Sequence, residues 1–438
     1  MGRLRLEQID SPVALRAVAA AWDDLWQRSD VTLPTVRAGL VAQWIECFAP
    51  RARVRGLLVW EDDGSRVQGP GFREEGEKGR KGEEETPLSP SPFLPFFPSP
   101  FPATRHAPPA TRLVAALALA GRRAKGVLPV GDLPSNYWSA SGELLLDPAV
   151  AGRISNPSCV VGRIPNPSYG ADDDPVLGLL ADALQKSPWP LLWLDLVPLE
   201  TPRWQALTRA MTRRGLSVVP HVRYEIGQVE LGHDFAAFET GLSKNLRRSL
   251  RKDLRRLERV GPVEPRLISD FTPDEVDVRL REVFEIELRS WKGRPGQAVL
   301  KTPGLFDFYL RLARQLAAWG CLRMVLLECR GHPIAGELGW VAKGVYHSFK
   351  VAYDEDFRQY GPGHLLRMFL AEEFCRRHDA QVIDFQGPMT EALASWSTRS
   401  YPIGRLVIAP DRPASRLLLA GYRAGASLVR RFRRAAAW

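Results

Sequence analysis

The 438-residue chain has only five cysteines, Cys47, Cys159, Cys321, Cys329 and Cys375, and no two of them form a C-x-x-C pair. An odd, scattered set argues against a disulfide framework, and no histidine stands at zinc-finger distance, so no metal site is expected. Long apolar runs are also missing. The longest, 113–120, has eight residues, far short of the roughly 20 that span a bilayer. The opening residues MGRLRLEQIDSP contain no apolar h-region, and Leu6 stands where a myristoylation signal has Ser or Thr. Neither leader nor lipid anchor is expected, which favours a cytoplasmic location. Acidic excess is absent too. Lys plus Arg number 60 against 50 Asp plus Glu, a net charge of +10. That balance either keeps the chain soluble or matches an anionic partner: CoA, a nucleic acid or an anionic membrane.

What is present is a globular composition, 45% hydrophobic with thirteen Trp, and a length that suits two domains. Apolar residues at helical spacing predict helices at 13–26 and 36–48, and 54–60 reads as a strand. The pattern then stops. Residues 86–110 carry nine prolines, a density no packed element tolerates. We expect 68–111 to be a disordered insertion; Pro87-Leu88-Ser89-Pro90 within it fits a P-x-x-P docking peptide. A twice-written heptad, GRISNPS at 152–158 and GRIPNPS at 162–168, is too short a repeat for a solenoid and reads as a loop insertion over 152–174. Helix and strand alternate from 175 onward, and a meander, loop, helix and strand close the chain, an α+β order.

Two basic segments stand out. Residues 235–259 read as a helix with Leu242, Leu246, Leu250, Leu254 and Leu257 on one face. Eight Lys or Arg and two acids lie between Lys244 and Arg259. The tail 411–438 is basic as well, and Leu418, Tyr422, Val429 and Phe432 share a possible helical face that Gly425 interrupts. Either segment is a solvated face or a surface for anionic lipid or RNA. No aromatic interleaves the basic residues of the first, which weakens single-strand recognition.

The chemistry concentrates between 345 and 378. A strand ending at Asp354 leads into Arg358-Gln359-Tyr360-Gly361-Pro362-Gly363 and then a helix from His364. Glycines ahead of a helix N-terminus let backbone N–H groups converge on an anion, aided by the helix dipole. Pro362 has no N–H, so the expected donors are Gly361, Gly363, His364 and Leu365, with Arg358 adding a charge-assisted contact. Gln359 completes the candidate pyrophosphate loop.

The R-x-x-G-x-G spacing of Arg358, Gly361 and Gly363 resembles the acetyl-CoA-binding motif of the GNAT superfamily. The series Leu242–Arg247, Glu287–Gly293, Ile334–Leu338, Tyr353-Asp354 and Ile383–Phe385 resembles the CelD-like branch and its FemAB relatives, over about 240–409. The resemblance implies two tandem GNAT-like domains, each a mixed, mostly antiparallel sheet flanked by helices: 1–205, then 206–410, then the basic tail 411–438. It also implies acyl transfer from acetyl-CoA or another acyl-CoA to an amine or hydroxyl. Pantetheine would pair with the backbone of Phe349, Lys350 and Val351. Glu337 is the candidate base, Glu287 the second, and Tyr353 the candidate acid; Trp291 and Lys292 line the acceptor cleft. His347 and His364 are further titratable groups nearby. The family often has a Tyr-Lys pair after its last core strand; here 391–396 reads EALASW and the Lys is missing. The acceptor would be a small molecule or glycan, in polysaccharide or cell-envelope metabolism. The alternatives are a catalytically inactive module binding nucleic acid or membrane, and a FemAB-like enzyme drawing on aminoacyl-tRNA.

Overall fold

The computed structural model describes residues 3–62, 111–124, 126–151, 174–293 and 298–435. The expected insertion at 68–111 lies outside these residues except for Thr111, and so does the P-x-x-P stretch. Thr111 is not part of an insertion, because it opens a long strand. The 152–174 loop also lies outside, except Asp174, whose carboxylate caps the next helix by accepting from the N–H groups of Val176 and Leu177.

The first half begins with strand β1 (Leu4–Ile9), helices α1 (Pro12–Ala17), α2 (Ala19–Arg28) and α3 (Ala38–Phe48), and strands β2 (Val54–Asp62) and β3 (Thr111–Ala124). The single helix expected over 13–26 is broken at Val18, whose backbone (φ −96, ψ 11) leaves the helical region. β4 (Leu128–Asp132), β5 (Leu144–Leu146), α4 (Pro148–Ala151), α5 (Pro175–Gln185), β6 (Leu191–Pro198) and α6 (Pro202–Arg213) follow. The eight-residue apolar run at 113–120 is the buried centre of β3, between helices on both faces.

The second half comprises β7 (Ser217–Glu230), α7 (Phe235–Gly241), α8 (Lys244–Glu258), β8 (Val263–Ile268), α9 (Pro273–Arg289), α10 (Leu305–Ala318), β9 (Leu322–Cys329), β10 (His332–Ala342) and β11 (Val345–Tyr353). It closes with α11 (Pro362–Arg377), β12 (Val382–Asp384), α12 (Glu391–Ala394), β13 (Arg399–Ala409) and α13 (Pro413–Ala435). The helix expected over 235–259 is two helices, because the Ser243 hydroxyl accepts from the Leu246 N–H and starts α8 afresh. In the tail, Leu418 and Tyr422 do pack, on the face of β6 and β13, while Val429 and Phe432 lie outside the residues whose side chains are described.

The strands form one sheet in the order β1-β2-β3-β4-β6-β13-β7-β12-β11-β10-β9-β8, with β5 added beside β3. This order reads the same from both ends. In each half the fourth strand pairs in parallel with the fifth, β4 with β6 and β11 with β12, and every other neighbour is antiparallel. The chain is therefore α+β, with two halves of matching strand order that meet where β13 pairs with β7. The last strand, β13, bonds to β6 on one side and β7 on the other, so the sheet runs unbroken across residue 205.

Helices α1 to α3 and α9 to α10 share one continuous core on one face of this sheet. The Gln43 amide donates to the Phe308 carbonyl at 2.9 Å, and Phe48 packs edge-on against Phe308. A second tie comes from the β10–β11 turn. The Lys343 ammonium donates to the carbonyls of Ser29 (2.8 Å), Val31 (2.9 Å) and Trp26. These groups end or follow α2, where carbonyls lack helical partners. Lys343→Met should lower stability by about 1–3 kcal/mol, read from the urea midpoint; an unchanged midpoint would mean that water serves those carbonyls equally well.

Candidate active site

β11 runs alongside β12 for three residue pairs only: Val345 with Val382, Tyr346 with Ile383, His347 with Asp384. Beyond His347 the two strands part, and among the described residues no strand lies beside one edge of 348–353. On the other edge β11 pairs with β10, and there the register slips: Leu338 faces Lys350 while Gly339 faces Ser348. Phe349 is the extra residue of a β-bulge, which bends the strand where the gap opens. Phe349, Lys350 and Val351 all lie on the opened segment. The Val351 carbonyl already accepts from the Lys292 ammonium at 2.6 Å.

A polar knot holds the apex of the gap. The Asp384 carboxylate accepts from Gln228 (2.6 Å), Tyr401 (2.8 Å) and the Gln386 side chain (2.7 Å). The Gln386 amide also meets His347 Nδ1 at 3.0 Å. Burial pushes the His347 imidazole below its usual range. The first half has the same opening, but it is filled. Asp132, at the end of β4, reaches across and accepts from the Asp195 N–H at 2.9 Å. Arg122 pairs with Asp132, and Arg223 and Arg405 pair with Asp195. Among the described residues, the second of these two openings is the one that offers free strand edge.

The candidate residues fall on two faces of β11. Glu337 lies on the α11 side, 2% exposed. Its carboxylate accepts from Tyr346 Oη at 2.8 Å, and Ser348 and Arg367 supply further polar and charge contacts. Gly339 makes this possible, since a Cβ there would sit 2.4 Å from the Tyr346 hydroxyl. Burial pushes the Glu337 carboxyl above the usual carboxylate range, against the opposing pull of Ser348, Arg367 and Tyr346. Tyr353 shares this face and packs among the apolar side chains under α11. The other face holds Glu287, Lys292 and Lys350. Glu287, 3% exposed, accepts the Val299 N–H at 2.8 Å. It is not tied to Arg289, which pairs with Asp354 instead. Trp291 is 52% exposed, with the Lys292 ammonium 5.8 Å from its ring centre.

The loop after β11 differs from the expected cradle. Residues Glu355–Tyr360 form a 3-10 helix, and α11 starts at Pro362, two residues early. Gly361 takes a left-handed conformation (φ 58), which suits glycine. Three of the four expected donors are spent on this turn. The Gly361 N–H donates to the Arg358 carbonyl, and those of His364 and Leu365 donate to the Gly361 carbonyl. The Gly363 N–H is not used in this turn, and a Cβ on Gly363 would meet the Tyr353 ring at 3.6 Å. The Arg358 side chain is 74% exposed, with Glu355 at 3.9 Å. The Gln359 carbonyl accepts from Arg256 of α8 at 3.0 Å, and the Asp253 carboxylate lies beside Gly361. The His364 ring accepts from Trp396 Nε1 at 2.9 Å. Trp396, in the stretch that lacks the expected Lys, thereby packs on the start of α11 and on Arg367.

Residues 244–392, which span this site, match the family model of the acetyltransferase (GNAT) domain. That segment of the second half is a GNAT-type domain. The chain is similar to the C-terminal domain of a putative lysylphosphatidylglycerol synthetase from Agrobacterium fabrum (13% identity, 70% of this chain and 84% of that one, TM-score 0.41). It is similar also to FemX (10%, 70% and 87%, TM-score 0.45). A tandem GNAT protein from the clavulanic acid biosynthesis pathway shares 12% identity over 92% of this chain and 98% of that one, TM-score 0.39. No curated protein matches the sequence. Among the described residues no helix is long and apolar enough to cross a membrane.

Sequence reading missed Tyr346, Ser348 and Arg367 around Glu337, and the Gln228–Asp384–Tyr401 knot. These residues come from five separate elements, and only Asp384 lay in a quoted motif. Glu337 gives a pH signature. Its folded pKa is raised, so its contribution to stability is full below the unfolded value of about 4.3 and is lost as pH rises through the folded one. Urea midpoints at pH 5 and pH 8 should show the wild type losing stability relative to Glu337→Gln; the opposite trend would mean the carboxylate is held charged.

Proposed function

We propose that the second half of the chain transfers an acyl group, acetyl foremost, from acyl-CoA to an amine or hydroxyl acceptor. The observation that carries this reading is the free edge of β11 beyond His347, bent at the Phe349 bulge and flanked by the Gly361–Gly363 turn. An extended amide-bearing arm such as pantetheine can add to that edge as a strand would, with backbone hydrogen bonds. Gly363 and the exposed Arg358 are the groups left to meet the pyrophosphate. Asp253 opposes an anion there, and Arg256 and Arg358 offset it.

Acyl transfer needs the carbonyl polarised and a proton moved from acceptor to leaving thiolate. Backbone N–H groups at the bulge are suited to the first task. For the second, Glu287 and its lysine neighbours lie beside the opened segment, whereas Glu337 is sealed under α11 with its partners satisfied. We therefore read Glu337 as holding the bend of β10 and β11, and Tyr353 as packing against the loop. Trp291, exposed beside Lys292, is positioned for an acceptor on the α9 side, and a glycan or other small polar molecule suits that surface. The CelD-like motif series supports the same reading.

An inactive binding module, or an enzyme drawing on aminoacyl-tRNA through the basic face of α8, makes different demands. Calorimetry with acetyl-CoA separates them. We expect binding in the micromolar range, about −7 to −8 kcal/mol, weakened at least tenfold by Gly363→Asp. No binding, or binding indifferent to that substitution, would overturn the proposal.

A further inference from the structure

The Lys350 ammonium stands in a ring of aromatic side chains: Trp138 at 4.8 Å, Tyr137 at 5.4 Å, Phe349 at 5.5 Å and Tyr309 at 5.7 Å from the ring centres. These come from three places in the chain. Tyr137 and Trp138 belong to the loop after β4, and Tyr309 to α10. The Tyr309 hydroxyl fixes that loop by donating to the Trp138 carbonyl at 2.6 Å. Tyr137 is 79% exposed, so the enclosure has one wall on solvent. Among the described residues Lys350 makes no ion pair and no hydrogen bond. A half-buried lysine without a paired anion is unusual; the ring faces and the more distant Glu287 carboxylate are what offset the desolvation of its charge.

Its place on β11 matters as much. Lys350 follows the bulge residue on the opened segment, on the same face as Glu287 and Lys292. We propose that Lys350 is the proton carrier of the transfer reaction: its neutral amine takes the proton from the attacking amine or hydroxyl, and the ammonium so formed gives that proton to the departing CoA thiolate. This rests on the acyl-transfer reading above. The balance closes without another reactant. The acceptor's N–H or O–H bond breaks as its bond to the acyl carbon forms. The C–S bond then breaks, the thiolate sulfur receives the proton, and Lys350 returns to its neutral state.

Such a carrier must exchange protons near neutrality, and its surroundings set that balance. Burial brings Lys350 down to about 8; Glu287 on α9 opposes the shift, and the Lys292 ammonium adds to it. Tyr309 and Tyr137 are the other titratable side chains at its ammonium, and Glu337 touches the cluster only through Lys292. Burial lowers Lys292 as well, but the Val351 carbonyl occupies its ammonium. Lys350 alone of the two is free to exchange with a substrate.

Three measurements test this. In protein labelled with [6-13C]lysine, the resonance missing from Lys350→Arg should titrate near 8, well below the other lysines. It should move lower still in Glu287→Gln and shift on addition of acetonyl-CoA, an unreactive analogue. An ordinary lysine value near 10.4, or indifference to the analogue in protein that binds it, would overturn the proposal. With any acceptor that the wild type acetylates, kcat/KM should climb with pH to a plateau. Lys350→Met should lose about 100-fold or more with analogue affinity within threefold, and Lys350→Arg should lose the same limb while keeping the charge. Either variant retaining a third of wild-type turnover would overturn it. Failure of the wild type to bind acetonyl-CoA would instead sink the acyl-transfer reading itself.

Discussion

The structure turns on one unmet pairing. β11 leaves β12 after three residues, and among the described residues the segment from Ser348 to Tyr353 keeps strand pairing on its β10 side only. A backbone polar group left buried and unpaired costs about 1–3 kcal/mol, so a protein ordinarily fills such a gap. The first half does so: Asp132 reaches the Asp195 N–H, and three arginines neutralise the two carboxylates. The second half keeps the gap and spends other interactions to hold it open. The Asp384 knot pins its apex, the Glu337–Tyr346 contact and the bulge hold the bend, and Lys292 serves one carbonyl. Two halves of the same topology thus differ in what stands between their fourth and fifth strands.

Much of this was legible in the sequence because the signals were local. The 345–353 strand, the loop and the following helix are contiguous, and their hydrophobic periods differ clearly. The tandem α+β arrangement was implied by the family resemblance and agreed with the length, and the palindromic strand order gives it a physical form. Boundaries were less legible where a single residue changes the backbone. Val18 breaks one helix and Ser243 restarts another, and neither change alters the apolar periodicity. β8 carries Pro265 and exposed charges, so it showed no strand pattern, although pairing with β9 gives it one.

The site was legible in part. Gly361 and Gly363 marked a turn, but a spacing cannot say where backbone donors point. In the structure the αL conformation of Gly361 turns its carbonyl toward the start of α11, and two N–H groups there are consumed. The enclosure of Lys350 was out of reach for a different reason. Tyr137 and Trp138 lie more than 200 residues before it in a loop of Pro, Ser and Asn, and only the packing of the first half against α10 brings them together. A Tyr-Trp pair in a polar loop was the available clue.

The central claim is that the edge of β11 beyond His347 is kept free for an acyl-CoA arm. Amide hydrogen exchange over 348–353, with and without acetyl-CoA, tests it most directly. Those amides should slow on addition of acetyl-CoA while 130–132 in the filled opening of the first half stay unchanged. Exchange at 348–353 that is indifferent to saturating acetyl-CoA would contradict the account.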